Sequence, residues 1–175
     1  MKPKDFIATL QRQVAATAVG PSALRGQGKG VLGVSQDFLA QLSLARLPKS
    51  NAKRFRAWLD RQTEALLDVL PVEKRPWGAA RKAINLFLRD ALYSQYLCSH
   101  FQLQLVEPWL EVPLDSAVAR GLKSHGERGE LPQWPGLKNL QSNISDCFQD
   151  FAAHYAEQKD MARVHLDIYL WLENR

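Results

Sequence analysis

The chain has 175 residues, 46% of them hydrophobic. That is enough to bury a core without disulfide or metal staples, and too apolar for a disordered tail. Its net charge of +5 is uneven: residues 1–82 hold 15 Lys and Arg against 6 Asp and Glu, whereas residues 83–175 hold 8 against 12. A basic front half points either to a surface that faces a polyanion or to a solvated, lysine-rich exterior.

The start, Met1-Lys2-Pro3-Lys4-Asp5, runs into a helical pattern with no central apolar block, so no secretory leader is expected. The spacing predicts a first helix over Lys4–Ala18, with Phe6, Leu10, Val14 and Thr17 on one face. Four glycines between Gly20 and Gly30 mark a loop whose backbone can approach another group closely. Ser35 is placed to cap a short helix carrying Phe38, Leu39 and Leu42. Ser50 or Asn51 caps a long helix with Phe55, Trp58, Leu59, Leu66 and Val69 inward, and Pro71 ends it. A connector follows, and a subdomain seam is expected near residues 71–76. From Trp77 a helix runs to about Phe101. Glu107–Leu114 is irregular, and Asp115 sits where an N-cap belongs. Residues 123–135 read as loop and Gly136–Gln158 as helix. The alternation of Val164, Leu166, Ile168, Leu170 and Leu172 has no partner strand, so 161–174 reads as a helix buried nearly all round. The expected class is all-α, one compact unit over residues 1–175.

No apolar run reaches the roughly 20 residues needed to span a bilayer, so no membrane partner is expected. Cys98 and Cys147 form no CxxC pair and fit a reducing, cytoplasmic setting. His100, His125, His154 and His165 are scattered, with no paired-histidine spacing. No metal or cofactor is expected.

Two segments carry chemistry. One is Trp77-Gly-Ala-Ala-Arg-Lys-Ala-Ile-Asn-Leu-Phe-Leu88, with adjacent Arg81 and Lys82. The other is Val112-Pro-Leu-Asp-Ser-Ala-Val-Ala-Arg120, with Asp115 opening a helix. A lysine amine can attack a sugar carbon and form a Schiff base. A carboxylate beside it can stabilise the cationic sugar and assist proton transfer. Lys82 and Asp115 are the candidate pair. The plainer reading of each is a solvated or phosphate-binding cation and an ordinary cap.

In order and register these segments resemble the catalytic core of the helix-hairpin-helix DNA glycosylase superfamily, the endonuclease-three and oxoguanine glycosylase type. The match is carried by Arg81, Lys82, Asn85 and Leu86–Leu88, then by Asp115, Ser116 and Val118, and by the closing stretch from Arg163 to Leu172. The departures are Ala80 where the hairpin's second glycine stands, Ala117 in place of a histidine, and a separation of 33 positions from Lys82 to Asp115. The family's C-terminal iron–sulfur loop is absent.

The resemblance implies a pair of small helical subdomains with a cleft between them. It also implies excision of a damaged or modified base from double-stranded DNA, with abasic-site lyase activity through Lys82 and no cofactor. Gly78 and Arg81 then belong to the DNA-binding hairpin, and Gln27 resembles a residue inserted into the base stack. Lys29, Lys53 and Arg54 are candidate phosphate contacts, and Trp77, Trp109 and Trp134 candidate stacking platforms. A non-catalytic nucleic-acid-binding module is the alternative, followed by a protein-interaction domain.

Overall fold

The computed structural model describes residues 3–71 and 75–173. They form eight α-helices, and among the described residues there is no strand. The helices are α1 (Pro3–Ala18), α2 (Val31–Ala40), α3 (Ala52–Val69), α4 (Trp77–Tyr93), α5 (Gln95–Phe101), α6 (Ser116–His125), α7 (Ser142–Gln158) and α8 (Leu166–Glu173). No helix among the described residues is long and apolar enough to cross a membrane.

Helix α1 is rotated from the expected face. Gln11, Val14, Ala15 and Ala18 are buried, while Phe6 is 38% exposed. The cause is Gln11, whose amide donates to the carbonyls of Leu39, Ala40 and Leu42 at 3.2, 3.3 and 2.8 Å. It satisfies the open end of α2 and draws its own face inward. Helix α2 begins earlier than Ser35, because Gly30 takes a left-handed φ of 82° and turns the chain into it. Ser35 lies a turn inside and donates back to the Val31 carbonyl at 2.7 Å.

Asn51 caps α3, its side chain accepting from the Arg54 amide. Phe55, Trp58, Leu59 and Leu66 face inward as the spacing requires. Val69 does not, at 52% exposed. The chain turns extended at Leu70, which takes the inner place. The helix from Trp77 breaks at Ser94, whose extended backbone (ψ 107°) separates α4 from α5. Gly136–Gln158 is a 3-10 turn at Leu137–Asn139 followed by α7.

The C-terminal segment corrects its expectation most. A 3-10 turn at Arg163–His165 leads into α8, and Ile168, Trp171 and Leu172 are 42%, 53% and 60% exposed. The helix rests on α6, where Leu170 packs over Gly121, so its inner face is buried while Ile168, Trp171 and Leu172 are largely exposed.

Two apolar clusters fill the interior. One gathers α1 to α5 as far as Leu110, with Val164; the other runs from Val112 to Leu170. Trp77 and Leu137 touch both. The division therefore falls at Leu110–Val112. The helices on either side of residues 71–76, α3 and α4, pack on one another within the first cluster. Residues 72–74 of the expected seam lie outside the described residues.

Candidate functional site

Helix α4 is the central element. Every residue from Gly78 to Leu88 is buried, three polar side chains among them. A buried charge is tolerated only when it is paired and hydrogen-bonded. Arg81, Lys82 and Asn85 each meet that demand, and their partners define the site.

Lys82 Nζ donates to Asp115 Oδ2 at 3.0 Å and to the Ala23 carbonyl at 3.1 Å. The lysine side chain is 8% exposed and that of Asp115 36%, so the pair lies at an opening. The other oxygen, Oδ1 of Asp115, accepts from the amides of Ala117 and Val118 at 2.9 and 3.0 Å, capping α6. One carboxylate thus serves two tasks, and the capping bonds fix the oxygen that faces the amine. The partner from the glycine loop, Ala23, carries no sequence signal because it acts through its backbone.

Arg81 does not reach a surface. Nε and Nη2 grip the two oxygens of Glu111 at 2.8 Å each, Nη1 donates to Thr63 at 3.0 Å, and the side chains are 2% and 1% exposed. Asn85 adds a third bond to Glu111 at 3.0 Å. Burial pushes the Glu111 carboxyl up, but the charge of Arg81, bonds from Arg81 and Asn85, and the charge of Arg163 outweigh it and hold it below its usual range. The nucleic-acid-binding role expected of Arg81 is thereby corrected: its guanidinium is already spent on a buried acid. It also lies 5.3 Å from the Trp77 ring, which is thus occupied by a cation of this chain.

Gly78 is corrected as well. It lies in the first turn of α4, so the segment expected to form a hairpin is helical. Its lack of a side chain serves packing: a Cβ there would stand 2.4 Å from the Leu137 carbonyl and 2.7 Å from Leu140 Cβ.

The strap from Leu110 to Asp115 is held at three points. Glu111 is bound by Arg81 and Asn85, and Asp115 by α6 and Lys82. Between them the Gln149 amide pairs with the Val112 backbone, accepting from its N–H at 3.1 Å and donating to its carbonyl at 2.8 Å. Arg163 binds the carbonyls of Trp109 and Leu110 at 3.1 and 3.0 Å, securing the strap's entry. Glu111, Gln149 and Arg163 escaped the sequence reading. Glu111 alone carried a signal, as a lone acid in the run Leu110-Glu-Val-Pro-Leu114.

The remaining candidates do not converge on this pair. Lys53 and Arg54 are exposed at the start of α3, and Lys29 is exposed in the glycine loop; among the described residues none forms an ion pair. The half-buried Gln27 donates to the Arg25 carbonyl at 3.4 Å. Trp109 packs on Phe55, and Trp134 lies edge-on to Phe148 with its indole N–H on Ser116. Among the described residues no group of His, Cys, Asp or Glu is placed to hold a metal ion.

Comparison of the chain with protein-family models, curated proteins and solved structures finds no match.

Proposed function

We propose that the protein excises a base from double-stranded DNA, acting as an N-glycosylase with abasic-site lyase activity. The observation that carries this reading is the 3.0 Å contact between Lys82 and Asp115, two residues 33 apart in sequence, with the lysine buried on α4 and the acid partly open to solvent. In this reading Lys82 gives up a proton and its nitrogen attacks C1′ of the sugar. The C1′–base bond breaks, and its electron pair leaves with the base, which takes up a proton. Ring opening at C1′–O4′ leaves an imine between Lys82 and the sugar. Loss of a C2′ proton then expels the 3′ phosphate. Asp115 stabilises the cationic sugar and is the proton acceptor already in contact with the amine.

The two apolar clusters that meet at Glu111 are consistent with a glycosylase-like pair of helical subdomains. Lys29, Lys53 and Arg54, exposed and without an ion pair among the described residues, suit the phosphate backbone. The free thiols of Cys98 and Cys147 suit a reducing cytoplasm.

The test is borohydride trapping on DNA that carries an abasic site or a panel of damaged bases. A covalent protein–DNA adduct is expected from the native chain and none from Lys82→Ala, with DNA binding retained within a few-fold. Binding without any adduct overturns the enzymatic reading and leaves a binding module. An adduct that persists in Lys82→Ala moves the chemistry to another amine.

A further inference from the structure

Asp115 also lines a cavity of about 390 Å³ enclosed by α4, α6 and α8. That volume lies within the range of roughly 300–1,000 Å³ typical of small-molecule sites. Its apolar wall includes Val118, Ile168 and Trp171. Trp171 is 53% exposed, whereas Trp58 in the core is 5% exposed.

The cations lining the cavity are in different states. Arg89 is committed to Asp90 and Asp167. Arg120, on α6 five residues beyond Asp115, is exposed, and among the described residues it forms no ion pair or hydrogen bond. An uncommitted guanidinium and a half-exposed indole on one cavity are the two groups that recognise a flat ring bearing a phosphate.

We propose that this cavity receives a nucleotide unit, its base against Trp171 and its phosphate at Arg120, with the sugar beside Asp115. The ligand class follows from the cavity. Its source, a nucleotide turned out of a DNA strand or a free nucleoside monophosphate, rests for the first case on the excision reading of Lys82 and Asp115. Turning a nucleotide out costs stacking and pairing, and an aromatic wall restores part of the stacking.

The full chain, with the Trp171 indole N–H assigned by comparison with Trp171→Phe, is titrated in the NMR tube. The probes are deoxyguanosine monophosphate, inorganic phosphate, and a DNA duplex with one mismatched nucleotide. A saturable shift of that signal is expected with the nucleotide or the duplex and none with phosphate alone. Arg120→Ala weakens the binding about tenfold, the scale of one charge-assisted contact. Trp171→Ala, followed through the neighbouring α8 amides, weakens it as much or more. Both side chains are exposed, so both variants keep the native circular dichroism.

No shift with either nucleotide source, or unchanged affinity in both variants, overturns the proposal. Tighter binding of the duplex assigns the cavity to an extruded nucleotide, and tighter binding of the monophosphate to a free one. Nucleotide binding without borohydride trapping removes the excision reading and leaves the cavity's ligand standing.

Discussion

Two ion pairs join the same two segments and end in different states. Arg81 and Lys82 are adjacent on α4; Glu111 and Asp115 lie four apart on the strap. The first pair is sealed, with both side chains 2% exposed or less and every guanidinium arm committed. The second opens to solvent on its acid, which is 36% exposed. Closed pairs are held because breaking one strands a charge in the interior, whereas a half-open pair can exchange a partner for water or ligand. Adjacent residues on one helix can thus end in different settings, one fixing the strap from within and the other paired at an opening.

The largest effect is expected from Arg81→Met, which leaves Glu111 buried without its bidentate partner. The loss is on the order of 3–5 kcal/mol, read as a fall in the urea midpoint, and Arg81→Met with Glu111→Leu restores most of it. A single variant within about 1 kcal/mol of native would erase the contrast between the pairs.

Gln149→Met attacks the strap between them. It leaves the buried N–H and carbonyl of Val112 without their side-chain partner, at about 1–3 kcal/mol for each group left unsatisfied. In the proposed reaction it should also lower the rate of adduct formation more than it weakens DNA binding, since the strap that carries Asp115 is held at one point fewer. Equal losses in both would make Gln149 a packing residue only.

Acid sharpens the comparison next. Glu111 titrates below its ordinary 4.5 in the folded chain, so the unfolded chain takes up the proton first. Its contribution is fully present above that ordinary value and is lost as pH falls through the lowered one. Unfolding free energies measured from pH 7 to pH 3 should therefore drop more steeply in the native chain than in Glu111→Gln, and parallel curves would contradict the sealed pair.

The smallest change in stability belongs to Asp115→Asn. Asn caps helices about as well as Asp, but with its oxygen on the cap its amide N–H2 faces the Lys82 ammonium, which keeps only the Ala23 carbonyl, so a loss of about 1–3 kcal/mol is expected. In the proposed reaction, excision should nonetheless be lost with the charge. Native turnover in this variant would leave Asp115 as a helix cap alone.

Two caps were legible in the sequence, whereas Ser35, expected to cap α2, lies a turn inside it. Asn51 and Asp115 each stand immediately before an apolar helical repeat, and the backbone amides they accept lie within three residues. Lys82 and Asp115 were nominated as a pair by their neighbours in two separated motifs. The bond from Ala23 was hidden, since any residue supplies a carbonyl.

Arg81 was misplaced because two adjacent cations read locally as surface. The correcting signal was the company they keep: from Trp77 to Leu88 only Arg81, Lys82 and Asn85 are polar, so the helix has no solvent face. Buried polar residues in such a helix must have partners elsewhere in the chain, and the sequence does not say where. The turn at Pro71 resembled a boundary because proline ends helices. The two apolar clusters instead part at Glu111, between Leu110 and Val112, a residue with no turn signal of its own.

The count of hydrogens on Lys82 has a consequence for the glycine loop. An ammonium carries three N–H groups, and here two of them reach Ala23 and Asp115. A protonated imine at the same nitrogen carries one. The imine at Lys82 must therefore release one partner, and the anionic carboxylate outcompetes a neutral carbonyl for a cationic donor. The carbonyl of Ala23 is the one set free, in a turn otherwise closed by its own short-range bonds, Ala23 to Gly20 at 3.0 Å and Gln27 to Leu24 at 3.2 Å. Amide exchange in that turn would then quicken when the adduct forms, so that a backbone more than fifty residues away in sequence reports the bonding state of one nitrogen atom.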